Sequence, residues 1–161
     1  MASTESNKKS VLFVCTGNTC RSPMAEGLLK AALAGNEHVQ VGSAGVAAMP
    51  GQGASSETLK VLEKYKVSLD GFRSRQVDTE ILDDADVIIA MTHSHAEVIT
   101  RHFPEKADAV CLLTDFIDSD ECLEGEDVPD PIGLGMAAYE EVADVMALAL
   151  PGIIDFAKKT S

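Results

Sequence analysis

Val11 to Val14 is a short unbroken apolar run with valine at both ends, followed at once by a polar, glycine-bearing turn. Such a run reads as a strand buried on both faces. Beyond it, Ser22-Pro23 opens a helix with proline near its first position. Met24, Leu28, Leu29, Ala32 and Leu33 then recur at helical spacing, and Gly35 ends the run. A second strand is predicted over about Val39–Ser43, with a loop in "SAGVAAMPGQG". Ser56–Tyr65 reads as a helix with Leu59 and Leu62 facing inward, and Thr79–Asp84 as a short one. Asp86–Met91 is the clearest central strand. Ser94–His102 is a helix closed by Pro104, and Ala109–Leu113 is the last strand. Asp115–Pro131 is acidic and carries Gly125, Pro129 and Pro131, which predicts a long surface loop. A final helix spans about Met136–Phe156, with Leu148 and Leu150 on its core face. Pro151 should kink it or split it.

Strands alternate with helices throughout. That order favours an α/β fold with a parallel sheet covered on both faces and right-handed crossovers. A length of 161 residues suits one domain with a real core. We assign it to residues 11–161, with residues 1–10 as a flexible polar tail. In such sheets ligands bind beyond the carboxyl ends of the strands. Cys15 lies just past the end of the first strand.

The formal net charge of −13 argues against nucleic acid and against anionic membrane as partners. Val11–Val14 is too short for a signal-peptide core or a membrane span. Four cysteines in an acidic chain of this size do not suggest a secreted disulfide framework. These features point to a cytoplasmic protein with reduced thiols. They leave the oligomeric state open, with a monomer as the working expectation.

The turn after the first strand reads Cys15-Thr16-Gly17-Asn18-Thr19-Cys20-Arg21-Ser22. It sets a thiol and a guanidinium at the two ends of a C-x5-R loop that enters a helix N-terminus. Consecutive backbone N–H groups in such a loop converge on one anion, aided by the helix dipole. Gly17 permits close approach and unusual backbone angles. Asn18 tolerates a left-handed conformation, and its side chain can pin the loop. Arg21 can grip two phosphate oxygens with its planar fork. The same field favours a thiolate at Cys15, and the Ser22 hydroxyl is placed to donate to that sulfur. A thiolate beneath a bound tetrahedral anion is set for in-line attack on phosphorus. The leaving group then needs a proton. "DVPDPIG" offers Asp127 and Asp130, and Asp130 is the stronger candidate because Pro131 stiffens it.

These strings, with "SAG" at Ser43–Gly45, "AMTHSH" at Ala90–His95 and "DP" at Asp130-Pro131, resemble the low-molecular-weight protein-tyrosine phosphatase family. The resemblance runs from Val11 to Tyr139. It implies a flavodoxin-like three-layer fold on a four-stranded parallel sheet. It also implies a phosphorylated protein substrate, a phosphocysteine intermediate, and no cofactor or metal. Carried over by position, Cys15 is the nucleophile, Arg21 binds the phosphoryl group, and Asp130 is the general acid and later the base for water. Thr16, Gly17, Asn18, Thr19, Cys20 and Ser22 complete the phosphate-binding loop, and Ser43 supports it.

Within the family the chain is most similar to bacterial protein-arginine phosphatases, in which a threonine at the position of Thr19 goes with choice of phosphoguanidinium. Tyrosine-directed members commonly carry a larger aliphatic residue there, and aromatic residues near the site. Here Ile132-Gly133 follow Asp130-Pro131, and the other loop reads Ala47-Ala48-Met49-Pro50. Neither supplies the ring that a phenol favours. The acidic residues Asp118, Asp120, Glu121, Glu124, Glu126 and Asp127 would suit a cationic substrate. Alternatives are a tyrosine phosphatase, a thioredoxin-coupled arsenate reductase with Cys111 and Cys122 as its relay, and a non-catalytic phosphate-recognition module. Cys15 and Cys20 could form a protective disulfide, or Cys20 could simply pack at the helix start. His93 and His95 lack metal-binding spacing, and one of them is expected to hydrogen-bond structurally, toward the loop.

Overall fold

The computed structural model describes residues 8–34, 36, 38–117 and 125–159. Four strands, β1 (Lys9–Cys15), β2 (Val39–Gly45), β3 (Val87–Ala90) and β4 (Val110–Leu112), form one sheet in the order β2-β1-β3-β4. Every pairing is parallel. Five helices join them: α1 (Arg21–Ala32), α2 (Ser56–Lys64), α3 (Thr79–Asp83), α4 (His93–His102) and α5 (Met136–Lys158). This is the flavodoxin-like α/β arrangement.

The apolar run of β1 is explained by a core on each side of the sheet. Val11, Phe13 and Cys15 face α1 and α5, while Leu12 and Val14 face Leu82 of α3 and Ile99 of α4. Burying a side chain such as Phe13 contributes roughly 1.5–3 kcal/mol, so both faces hold β1 at the centre. The chain leaves β1 toward β2 on one side and later crosses to β3 on the other. Cys15, paired with Gly45, therefore ends its strand at the point where the strand order reverses.

Several expectations are corrected. Lys9 and Ser10, read as tail, are the first residues of β1: Lys9 N–H donates to the His38 carbonyl, and Ser10 N–H to Asp86. Met1–Asn7, Gly35 and the 118–124 part of the acidic loop lie outside the described residues. Ser43–Gly45 belong to β2 rather than to a loop. Leu59 is 43% exposed, because α2 buries Thr58, Val61 and Leu62 instead. Leu148 is likewise 42% exposed. The acidic loop is not wholly superficial, since Val128 and Pro131 are buried. A 3-10 turn over Pro104–Ala109 shortens the approach to β4.

Pro151 does not split α5, which is one 23-residue helix. Gly152 beside it faces the carbonyl of Phe116, where a Cβ would come within 2.4 Å. The close approach of this helix to the turn after β4 thus depends on the glycine.

Candidate active site

The loop from Cys15 to Ser22 is held from outside by its carbonyls. Those of Cys15 and Thr16 accept from Val46 and Ala47 N–H, both at 2.9 Å. The Thr19 carbonyl accepts from Ser55 N–H at 2.8 Å, and that of Cys20 from the Thr58 hydroxyl at 3.2 Å. By contrast, none of the backbone N–H groups of Thr16–Cys20 donates to another described residue. Buried amides left without partners are costly. A run of free donors at the head of a helix, with four of the loop's carbonyls turned outward to other partners, is an anion cradle.

Asn18 sets the shape of the loop. It is fully buried, and its φ of 58° is the left-handed conformation expected of asparagine. Its Oδ1 accepts from Arg75 N–H at 2.9 Å, and its Nδ2 donates to the hydroxyls of Ser22 and Ser43, each at 2.9 Å. Because Ser22 Oγ is thereby an acceptor, its own hydrogen is free for Cys15 Sγ at 2.9 Å. The Ser43 hydroxyl in turn donates to Glu26 Oε1 at 2.6 Å, and Lys30 pairs with Glu26 Oε2 at 2.6 Å. These bonds share one consistent polarity, which directs a hydroxyl hydrogen at the sulfur.

Gly17 lacks the left-handed backbone that a glycine would allow. A Cβ there would meet only Thr19 Oγ1 at an ordinary 3.7 Å. A close approach within the protein falls on Gly45, where a Cβ would lie 2.4 Å from the Thr16 carbonyl.

Arg21 is almost fully buried. Its Nη1 donates to the Val128 carbonyl at 2.9 Å, and its Nη2 lies 3.9 Å from Asp130 Oδ2. The Asp130 side chain is 52% exposed against 6% for Arg21, so one group backs the cradle and the other stands at its mouth. Asp130 Oδ1 also accepts from Ile132 N–H at 3.1 Å, which fixes its rotamer within the turn. Tyr139 packs behind Cys20, its hydroxyl 3.6 Å from the sulfur. Burial and the Cys20 contact push that phenol up to about 12.

Both histidines bond to site loops, through different partners. His95 Nε2 meets Thr16 Oγ1 at 2.8 Å, and His93 Nδ1 meets Asp127 Oδ1 at 2.8 Å. Burial pushes the His95 imidazole down to about 4; nearby Arg21 adds to this, while Asp127 and Asp130 oppose it. The unfolded chain takes up this proton near the ordinary value of 6.5, whereas the folded chain refuses it until about pH 4. His95 therefore costs no stability above pH 6.5 and up to about 3 kcal/mol as pH falls toward 4. Urea denaturation of wild type and His95→Asn across that range measures the effect. A shallower loss is expected in the variant, and identical slopes would refute it.

Sequence reasoning found Cys15, Asn18, Arg21, Ser22, Ser43 and Asp130, and all lie at this one end of the sheet. It missed Glu26, Lys30 and Arg75. The signal for the first two was present: Ser22, Glu26 and Lys30 stand at i, i+4 and i+8 on one face of α1. Among the described residues no three His, Cys, Asp or Glu side chains gather as a metal site would require. Cys111, half of the suggested arsenic relay, is pushed up to about 12 by burial and by Asp115, so it is a protonated and weak nucleophile. Cys122 lies outside the described residues. Cys15 and Cys20 are both free.

A family model described as low molecular weight phosphotyrosine protein phosphatase matches residues 10–160. The chain is 37% identical over 136 residues to the protein-arginine-phosphatase of Bacillus subtilis (strain 168), covering 83% of this chain and 87% of that one. Over 140 residues it is 34% identical to the low molecular weight protein-tyrosine-phosphatase Etp of Escherichia coli (strain K12), covering 87% and 88%. The solved YwlE arginine phosphatase from Geobacillus stearothermophilus superposes with a TM-score of 0.82 at 35% identity, covering 92% of each chain. The chain belongs to the low molecular weight phosphotyrosine protein phosphatase family. It is a cysteine-based protein phosphatase. Among the described residues no helix is long and apolar enough to cross a membrane.

Proposed function

We propose that the protein dephosphorylates phosphoarginine side chains, with Cys15 as nucleophile, Arg21 as phosphoryl clamp and Asp130 as general acid and base. The phosphoryl oxygens occupy the free amides of Thr16–Cys20 and the Arg21 guanidinium. The Cys15 thiolate attacks phosphorus in line, and an S–P bond forms as the P–N bond breaks. Asp130 gives its proton to the departing guanidine nitrogen. A water, losing its proton to Asp130, then attacks the phosphocysteine. The S–P bond breaks, inorganic phosphate leaves, and the thiolate returns to the hydrogen bond of Ser22.

The choice of arginine rests on one observation. The two segments that border the cradle, residues 46–55 and 125–135, contain no aromatic residue. Their large apolar side chains, Met49, Ile132 and Leu134, are aliphatic and mostly exposed. A phenol phosphate finds no ring to pack on, whereas the polar guanidino group meets the exposed Asp130 carboxyl at the mouth of the cradle. Thr19 adds a small polar wall, and the similarity to arginine phosphatases agrees. The phosphorylated protein is the substrate; a cytoplasmic location fits the charge and the thiols.

Side-by-side kcat/KM on phosphoarginine and phosphotyrosine peptides tests this reading. We expect a preference for phosphoarginine of about tenfold or more, with Thr19→Ile shifting it toward phosphotyrosine. A wild-type preference for phosphotyrosine overturns the assignment.

A further inference from the structure

We propose that His93 is a positioning residue for the general acid, acting through Asp127, and that the first turn of α4 locks the acid-bearing loop to the phosphate loop. The inference rests on Asp130 being the general acid. The turn after β3 reads Met91-Thr92-His93-Ser94-His95, and Thr92 caps α4 by accepting from His95 N–H at 3.1 Å. Two residues of this rigid turn then reach in different directions. His95 bonds Thr16, the residue after the nucleophile. His93 bonds Asp127, three residues before the acid, with both its backbone N–H and its ring, each at 2.8 Å.

The ring bond fixes a tautomer. A carboxylate only accepts, so a bare Nδ1 lone pair would repel Asp127 Oδ1 at 2.8 Å. Nδ1 therefore carries a hydrogen. The next residue extends the lock: Val128 N–H donates to the Met91 carbonyl at 2.8 Å, and the Val128 carbonyl accepts from Arg21. From Val128 to Asp130 there is little freedom. Pro129 has a fixed φ, and Pro131 restricts Asp130. The position set at Asp127 and Val128 is thus transmitted to the Asp130 carboxylate 3.9 Å from Arg21.

His93 and Asp127 are both exposed, with side chains 68% and 52% accessible. Exposed pairs of this kind add little stability, so the fold does not require this one. Its effect is to limit where Asp130 points.

The test is a series of aryl phosphates with leaving groups from weakly to strongly basic, read as kcat/KM, which reports phosphocysteine formation. His93→Ala should lose about tenfold on the poorest leaving groups and almost nothing on the best, with an unchanged melting temperature. The retained backbone N–H bond to Asp127 keeps this loss below that of removing the acid. His93→Asn, whose amide N–H can replace Nδ1–H, should restore most of the loss. Asp127→Ala, which removes the backbone bond as well, should lose at least as much as His93→Ala, and the double variant should be no worse than Asp127→Ala alone. Asp130→Asn is run alongside. If it steepens the leaving-group dependence and His93→Ala does not, or if His93→Ala slows all substrates equally, the positioning role is wrong. If Asp130→Asn itself leaves the dependence flat, the assignment of the acid fails, and this inference fails with it.

Discussion

Cys15→Ala is expected to lower turnover by about 10⁴-fold or more on every phosphorylated substrate while leaving phosphate binding in place. Removing the nucleophile of a covalent mechanism removes the first chemical step, and losses of this size are usual when one member of a cooperating set is deleted. The fold offers no substitute. Ser22 is held by Asn18, and Thr16 by His95. Cys20 is buried against Tyr139. The cradle itself should survive, because its shape comes from Asn18, Gly45 and outward-held carbonyls. Calorimetry with inorganic phosphate and an aryl phosphate assay on the same sample separate the two effects. Lost binding together with lost turnover would mean that Cys15 shapes the loop; retained turnover would remove it from the chemistry.

Asp130→Asn carries the second largest expected effect, a fall of about 10²–10⁴-fold on phosphoarginine. The size follows from the leaving group. Guanidine is far more basic than phenolate, with reference values near 12.5–13.8 against about 10, so expelling it without a proton is much harder. Asparagine keeps the shape and can still accept from Ile132 N–H, but it has no carboxylic proton to give. The same variant should lose far less on an aryl phosphate whose leaving group departs unprotonated. Competition between the two substrates on one preparation reads the difference directly. Equal losses on both would assign Asp130 to binding rather than to proton transfer.

The parts of this molecule that a linear reading recovers are those whose chemistry is local. Val11–Val14 declares a doubly covered strand by composition alone. The C-x5-R loop declares an anion site because thiol, asparagine and guanidinium are adjacent in the chain. Reading failed where a residue's role is set by a distant segment. The tightest backbone contact of the loop is made by Gly45, one strand away, which no pattern inside the loop announces. Glu26 looked like an ordinary helix carboxylate until Ser43 of β2 was set against it. Arg75 supports Asn18 across 57 residues through a backbone N–H, which no side-chain pattern encodes. Leu59 and Leu148 are apolar and yet stay 43% and 42% exposed. Pro151 fits within α5 because its missing N–H costs one hydrogen bond on an exposed side of the helix, while Gly152 keeps the contact with Phe116.

Rapid acid quenching of the enzyme with a ³²P-labelled phosphoprotein, followed by peptide mapping, asks whether phosphorus passes through sulfur at the end of β1. Radiolabel recovered on the peptide holding Cys15, appearing and decaying within a single turnover, is the predicted result. Release of labelled phosphate with no label ever on Cys15, or label on another side chain, would contradict it.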